Sequence, residues 1–252
     1  MKVLRLLFLS TLACLPTQAQ EKSDRERAGL IGSICIVAEG RFNNSPSIGD
    51  LSATRKTYTP EGRLLEVNAP SIGMYRTIER FERVDDNTVL LHRATIGVSN
   101  AQPPLLTRNP ERDSSGNELY RIEIGTNRHY EREGDRVALK AVSRQETLKT
   151  RDRVIWRKSY LFDPQGRLIE EIAVTTEDLI VSDTLYNYDT LSARAPSYVE
   201  TRRDGITKYR VWYTYENDSH GNWIRRRRDK EEPSIPSSPP NNITYRTITY
   251  CA

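Results

Sequence analysis

Apolar and polar residues alternate with a period of two along much of this chain, the pattern of strands with one buried face. Between positions 206 and 215, Tyr209, Val211, Tyr213 and Tyr215 fall on one face, and Lys208, Arg210, Trp212 and Thr214 on the other. Between 154 and 162, Trp156, Lys158, Tyr160 and Phe162 oppose Ile155, Arg157, Ser159 and Leu161, a partial alternation. The strand-like runs come in pairs around short turns, which predicts β-hairpins. Arg55 to Tyr58 and Arg63 to Val67 flank Thr59-Pro60-Glu61-Gly62. Tyr75 to Val84 and Thr88 to Ile96 flank Asp85-Asp86-Asn87, and Val154 to Phe162 and Arg167 to Val174 flank Asp163-Pro164-Gln165-Gly166. Asp-Pro-x-Gly suits a type I turn, with Pro at the second position and Gly at the fourth. Charges recur on the weaker face, which predicts sheets with one wet side, an antiparallel habit.

The fold class expected is therefore all-β: an antiparallel sheet of tandem hairpins, either closed or folded back on itself. Ser33 to Val37 is the first buried strand, preceded by a short charged helical turn that Ser23 caps and Gly29 breaks. Two segments depart from the pattern. Positions 97–117 hold Pro103-Pro104, Asn109-Pro110 and Ser114-Ser115-Gly116-Asn117, and read as a long loop or a junction between halves. Positions 231–242 hold four prolines among serines and read as an exposed hairpin loop, locally polyproline-like.

A short motif recurs. It appears as Tyr58-Thr59-Pro60-Glu61-Gly62-Arg63-Leu64, as Tyr160 to Leu168 around Asp163-Pro164-Gln165-Gly166, and as Tyr213-Thr214-Tyr215-Glu216-Asn217-Asp218-Ser219-His220-Gly221-Asn222-Trp223. Tyr186-Asn187-Tyr188-Asp189 is a truncated form and Tyr130 to Gly134 a worn one. Aromatics two apart share a face, an acidic or hydroxyl side chain bonds the turn amides, Gly takes a positive φ, and an apolar residue restarts the strand. These segments resemble the tyrosine-aspartate (YD) repeats of bacterial RHS-like proteins. Arg27 to Ile34 resembles the opening of small exported YD-repeat proteins, and Tyr245 to Tyr250 their ending. The resemblance implies a bacterial, extracytoplasmic hairpin protein and carries no activity to particular residues. The copies are too few to build the toxin shell of large RHS proteins.

The first nineteen residues change the picture of where the chain works. Lys2 and Arg5 precede an apolar run from Leu6 to Leu15, and Thr17-Gln18-Ala19 offers small residues before a polar chain begins. This is a secretory signal with cleavage near Ala19, leaving one β-hairpin domain over 20–252 in the periplasm or outside the cell. Lipidation at Cys14 is the alternative, though Thr11 stands where a lipobox has an aliphatic residue. Cleavage leaves Cys35 and Cys251, an even pair that export would join as a disulfide. The alternative is that Cys35 is a small buried hydrophobe.

Of 252 residues, 38 are Lys or Arg and 34 Asp or Glu, a net charge of +4. Losing Lys2 and Arg5 would leave about +2, too little for a nucleic-acid partner recognised by charge alone. Beyond the signal no apolar run approaches the length of a membrane-spanning helix. Nothing calls for a cofactor or a metal: there is no Cys-x-x-Cys, only three histidines, and no phosphate loop or dinucleotide fingerprint. Glu216-x-Asp218-x-His220-Gly221 has a calcium-loop start but Arg227 where the closing Glu belongs, so it reads as a turn.

Two groups remain as candidate ligand sites. Trp156, Trp212 and Trp223 could form a sugar-stacking platform. Arg225, Arg226, Arg227 and Arg228 could meet an anionic envelope polymer, or could be a solvated strand balanced by Asp229, Glu231 and Glu232. No catalytic motif is present. The reading is a non-enzymatic binding or structural module of the bacterial envelope, with an envelope polymer or another envelope protein as partner. The alternative is a glycan hydrolase using two carboxylates, for which no pair can be singled out among 34 acidic residues.

Overall fold

The computed structural model describes residues 23–40, 52–70, 75–97, 110–133, 136–151, 153–175, 179–190, 192–203, 205–232 and 243–251. The signal sequence, Cys14 and most of the Pro/Ser loop lie outside these residues, as do positions 98–109 of the proposed junction. The described residues form one short helix, α1 (Asp24–Arg27), and fifteen strands. The strands are β1 (Ile34–Gly40), β2 (Thr54–Tyr58), β3 (Leu64–Pro70), β4 (Tyr75–Arg83), β5 (Thr88–Gly97), β6 (Glu111–Arg112), β7 (Glu118–Glu133) and β8 (Arg136–Thr150). They continue as β9 (Arg153–Phe162), β10 (Leu168–Thr175), β11 (Ile180–Asn187), β12 (Tyr198–Arg203), β13 (Ile206–Asn217), β14 (Trp223–Glu232) and β15 (Ile243–Tyr250).

Every pairing is antiparallel, and all but two join neighbours in sequence. One exception is β15, which pairs with β1 through contacts such as Val37 with Ile248 and Glu39 with Arg246; the other is β5 with β7. Strand β6 covers only Glu118 and Leu119 of β7, so β5 pairs with β7 on the opposite edge. Fourteen strands therefore run around a closed up-and-down barrel, with β6 as an appendage. Closure leaves few unpaired edges. This is the closed form of the antiparallel sheet that the hairpin pattern anticipated.

One turn design shapes the hairpins, and it occurs at 59–63, 113–117, 163–167 and 218–222. The first residue's N–H donates to the carbonyl of the fifth, and the Gly N–H donates back to the carbonyl of the first. The first residue's side-chain oxygen accepts the N–H of the fifth, at 3.2 Å for Thr59 and 2.8–2.9 Å for Asp113, Asp163 and Asp218. Gly62, Gly116, Gly166 and Gly221 all lie at positive φ, between 73° and 85°. Beside three of these turns the register slips, at Thr57/Tyr58, Leu168/Glu170 and Glu216/Asn217. Such bulges add the local twist that curls a sheet toward closure. The copy at 113–117 sits in the segment that the sequence suggested was loop. Here Asp113 opens the turn and no Pro marks it.

Paired residues share a face, so the ladders sort every strand into an inner and an outer wall. On one side of the lumen Phe81, Val89, Leu91, Tyr120, Ile122, Ile124, Leu148 and Trp156 pack together as an apolar core. That core encloses Arg93, which bonds Glu118 at 3.1 Å and lies 3.5 Å from Glu79. Burial lifts the Glu79 carboxyl above its usual range, although Arg93 opposes the shift. The outer wall carries cross-strand charge pairs: Glu66 with Arg55 and Arg80, Glu123 with Lys149, Arg202 with Glu170 and Asp183, and Glu200 with Arg210.

The N-terminal segment closes one end of this barrel. Ser23 and Glu26 form a reciprocal capping box on α1, as the sequence suggested for Ser23, and Gly29 breaks the helix at a φ of 72°. Arg25 N–H then donates to the Gly62 carbonyl, and Leu64 N–H to Asp24. At Gly62 any side chain would meet Ser23 Oγ at 2.7 Å, so the turn needs glycine for space as well as for φ. Beneath lie Leu30, Ile34, Val37 and Tyr58, with Leu64, Ile248 and Tyr250 against them. At this end Cys35 and Cys251 form a disulfide, 216 residues apart in sequence with Cα atoms 5.3 Å apart. The bond staples the first strand to the end of the last.

Candidate functional site

The open part of the lumen lies across from the apolar core, behind the N-terminal segment. A cavity of about 1080 Å³ is walled by Arg27, Arg167, Tyr188, Tyr213, Tyr215 and Trp223, among others. A smaller chamber of about 460 Å³ is walled by Val37, Thr54, Tyr58 and Thr244. Glu39, Lys56, Arg226 and Arg246 line both, so the two spaces meet at this charged quartet. The volumes are those of small-ligand sites.

Local sequence places each member on the inner face. Glu39 follows Val37 by two on β1, Lys56 precedes Tyr58 by two on β2, and Arg246 precedes Ile248 by two on β15. Arg226 pairs with Thr244 on β15 and with Tyr215 on β13, both inner residues. Arg246 donates to Glu39 at 3.0 Å, and Arg226 lies 3.8 Å from the same carboxylate. Burial alone would raise the Glu39 carboxyl, but Arg246 and Arg226 outweigh it and hold it below the usual carboxylate range. Burial also pulls Lys56 and Arg246 down and pushes the Tyr58 hydroxyl up to about 12, so Tyr58 stays a neutral donor.

Aromatic rings hold the guanidinium groups in place. Arg246 lies 3.5 Å from the centroid of Trp223, and Arg226 lies 5.1 Å from both Trp223 and Tyr213. Arg167 covers Tyr188 at 4.5 Å. Cation–π stacking of this kind covers the flat faces and leaves the N–H edges to bond. The Arg246 side chain is only 10% exposed, and its Nε and Nη1 have no acceptor among the described residues. The site thus offers donors and positive charge, set in rings.

The candidates singled out from sequence divide between the walls. Arg226 belongs to the quartet and Trp223 lies against it, and Arg228 faces inward beside Tyr213 and bonds Glu231. Trp156 belongs to the apolar core on the far side. Trp212 is on the outer wall, stacked on Tyr198 with centroids 5.6 Å apart, and Lys230 sits over it. Arg225 and Arg227 are on the outer wall too, paired with Glu216 and Asp229. The three tryptophans therefore share no platform, and the four arginines no single patch: alternation along β14 separates them. Asp218 of the calcium-like stretch caps its own turn and accepts from Tyr250 at 2.5 Å. Glu39, Lys56 and Arg246 are the residues that sequence reasoning missed. Their signal is a charge standing at an inner position two away from an apolar or aromatic residue.

No family model and no curated protein matches this chain. Solved structures similar in shape include two porin-like proteins. A porin-like protein from Bacteroides vulgatus is 12% identical over 88% of this chain and 99% of its own, with a TM-score of 0.37. A porin-like protein from Bacteroides uniformis is 9% identical over 86% of this chain and 98% of its own, also with a TM-score of 0.37.

Proposed function

We propose that this protein is a non-enzymatic binding module of the bacterial envelope, a closed barrel that stands in water and takes a small ligand into its lumen. The observation that carries the reading is the cavity behind the N-terminal segment, with its quartet of charges and its wall of tyrosines. The outer wall supports the aqueous setting. A lipid-facing barrel wall is apolar, and each Arg or Lys at the bilayer midplane costs about 2–4 kcal/mol. With Arg55, Arg80, Lys149, Arg202 and Arg210 facing outward, immersion would cost on the order of 10 kcal/mol. Export and cleavage near Ala19 follow from the signal pattern, and the Cys35–Cys251 bond suits an oxidising compartment. The four matching turns support kinship with YD-repeat proteins. A glycan hydrolase would want one protonated carboxyl beside one ionised partner. At the quartet, Glu39 is held ionised by two arginines, an arrangement that serves binding.

Tryptophan fluorescence separates the walls. Titrating the mature, oxidised protein with the small-molecule fraction of an envelope extract should change the emission of Trp223. The response should vanish in Trp223→Phe and persist in Trp212→Phe. Persistence in both variants would place the ligand elsewhere, and co-flotation with lipid vesicles would overturn the aqueous barrel.

A further inference from the structure

The charges at the quartet do not cancel. Lys56, Arg226 and Arg246 face a single carboxylate, Glu39. Glu39 is committed to Arg246 and Arg226, whereas Lys56 has no hydrogen bond or close ion pair among the described residues. Arg246 keeps two nitrogens without an acceptor. Of the neighbouring charges on the cavity wall, Arg27 pairs with Asp24, Arg167 pairs with Asp163 and Glu26 bonds Ser23, while Asp189 and Arg194 are of opposite sign. Two positive charges are thus left over in a half-enclosed space. Buried charge persists when it is paired, and unpaired donors there leave bonding capacity unused. A ligand can supply what is missing.

From this we infer that the quartet binds a dianionic oxyanion group, of the phosphomonoester type, on a small polar ligand; the inference rests on the luminal-binding reading above. A monoanion would leave one positive charge uncompensated. Two charges spread over three oxygens match two guanidinium edges and an ammonium, and charge-assisted bonds of this kind are the strong ones. A phosphomonoester carries about −1.5 to −2 at neutral pH. The rings of Trp223 and Tyr213 already stack on arginines, so they fix the cations and do not serve as a free sugar platform. The 460 Å³ chamber is far larger than a phosphate alone, and Thr54, Tyr58 and Thr244 line it with hydroxyls for the remainder of the ligand. That remainder is then a hydroxylated body about the size of a hexose.

The test is calorimetric titration of the mature, disulfide-bonded protein with glucose 6-phosphate, inorganic phosphate, glucuronate and glucose. Both phosphates should bind, glucuronate should bind more weakly, and glucose weakest of all. Lys56→Met removes a cation that carries no ion pair, so the fold should survive, and it should weaken phosphate binding about tenfold. Glu39→Gln adds net positive charge and should tighten phosphate binding severalfold while lowering stability, a pair of opposite effects that a purely structural role of the quartet would not give. Glucose equal to glucose 6-phosphate, unchanged phosphate affinity in Lys56→Met, or no saturable phosphate binding at all would each overturn the inference. If phosphate fails while the Trp223 response to the extract persists, the luminal-binding reading stands and only the anion class is wrong.

Discussion

Asn222→Ala should be the most damaging small change at the closed end of the barrel. The residue is 1% exposed, and its amide spans two chain segments far apart in sequence. Its Oδ1 accepts from Ile31 N–H at 2.6 Å, and its Nδ2 donates to the Ile31 carbonyl at 2.9 Å and to the Tyr250 hydroxyl at 2.7 Å. Truncation orphans both backbone groups of Ile31 and removes one partner from Tyr250. An orphaned buried group costs about 1–3 kcal/mol, and the lower figure applies because Ile31 is only half-buried. With about 1 kcal/mol more for the lost bond to Tyr250, the sum is about 3 kcal/mol. That is a large share of a typical stability of about 5–15 kcal/mol.

Asn117 supplies the control. It holds the same place in its turn, with its N–H on Asp113 Oδ1, but its amide donates only to Asp113, at 3.0 Å. Asn117→Ala should cost less than about 1 kcal/mol. Urea unfolding of the oxidised proteins, followed by tryptophan fluorescence, measures both. Equal midpoints in the two variants would show that Asn222 acts within its turn and that the stitch to Ile31 holds nothing together. A loss below about 1 kcal/mol for Asn222→Ala would refute the magnitude argument.

Three further outcomes are expected. Gly166→Val should destabilise by about 1 kcal/mol or more, since a β-branched residue resists the φ of 73° there, whereas Gly125→Val, where an added Cβ meets nothing within 4 Å, should be near neutral; thermal melts of both decide it. Denatured, unreduced mature protein should show no free thiol, and reduction should lower stability by up to about 4–5 kcal/mol, the entropic value for so long a loop, read as a shift in the urea midpoint. The Glu39 carboxyl is depressed in the folded state, so its ionic contribution is present above the ordinary glutamate value of 4.5 and fades as pH falls through its lower folded value; Glu39→Gln should flatten the acid limb of the stability–pH profile, and an unchanged limb would contradict that.

The strands and turns were legible because local chemistry dictates them. Positive-φ glycine with a capping oxygen three residues earlier is a five-residue problem, and Asp163 to Arg167 and Asp218 to Asn222 solve it in plain view. The alternation on β13 predicted its two walls residue by residue, and the cysteine pair predicted that first and last strands meet. The site was not legible. Its members come from β1, β2, β14 and β15, and they converge because β15 returns to β1 across the whole chain. No window of sequence contains that closure. The four consecutive arginines drew the eye as a charge run, yet pleating sends Arg225 and Arg227 outward to Glu216 and Asp229, and only Arg226 reaches the quartet.

The division of the lumen follows from what stands at the inner positions. A fourteen-stranded barrel encloses more space than one ring of side chains fills. Along β4, β5, β7 and β8 the inner residues Phe81, Leu91, Ile122 and Leu148 meet in an apolar core, and inner charges there are paired, Arg93 with Glu118 and Arg144 with Glu146. Along β1, β2, β14 and β15 the inner residues include Glu39, Lys56, Arg226 and Arg246, whose hydration opposes such collapse. Burying them unpaired costs more than leaving a cavity open, so the charged half stays open. The N-terminal segment then covers that half at one end, tied by Asn222, Gly62 and the disulfide. A chamber that is charged, ring-lined and closed at one end thus forms where the inner charges of β1, β2, β14 and β15 outnumber their partners, three cations to one carboxylate. Exchanging Lys56 and Glu39 for apolar residues together would remove one charge of each sign but leave Arg226 and Arg246 without the carboxylate they share. The doubly substituted barrel should then be less stable than the parent and should keep its capacity for an anionic guest, and urea unfolding with and without phosphate checks both; a double variant as stable as the parent would show that the two arginines need no counter-charge.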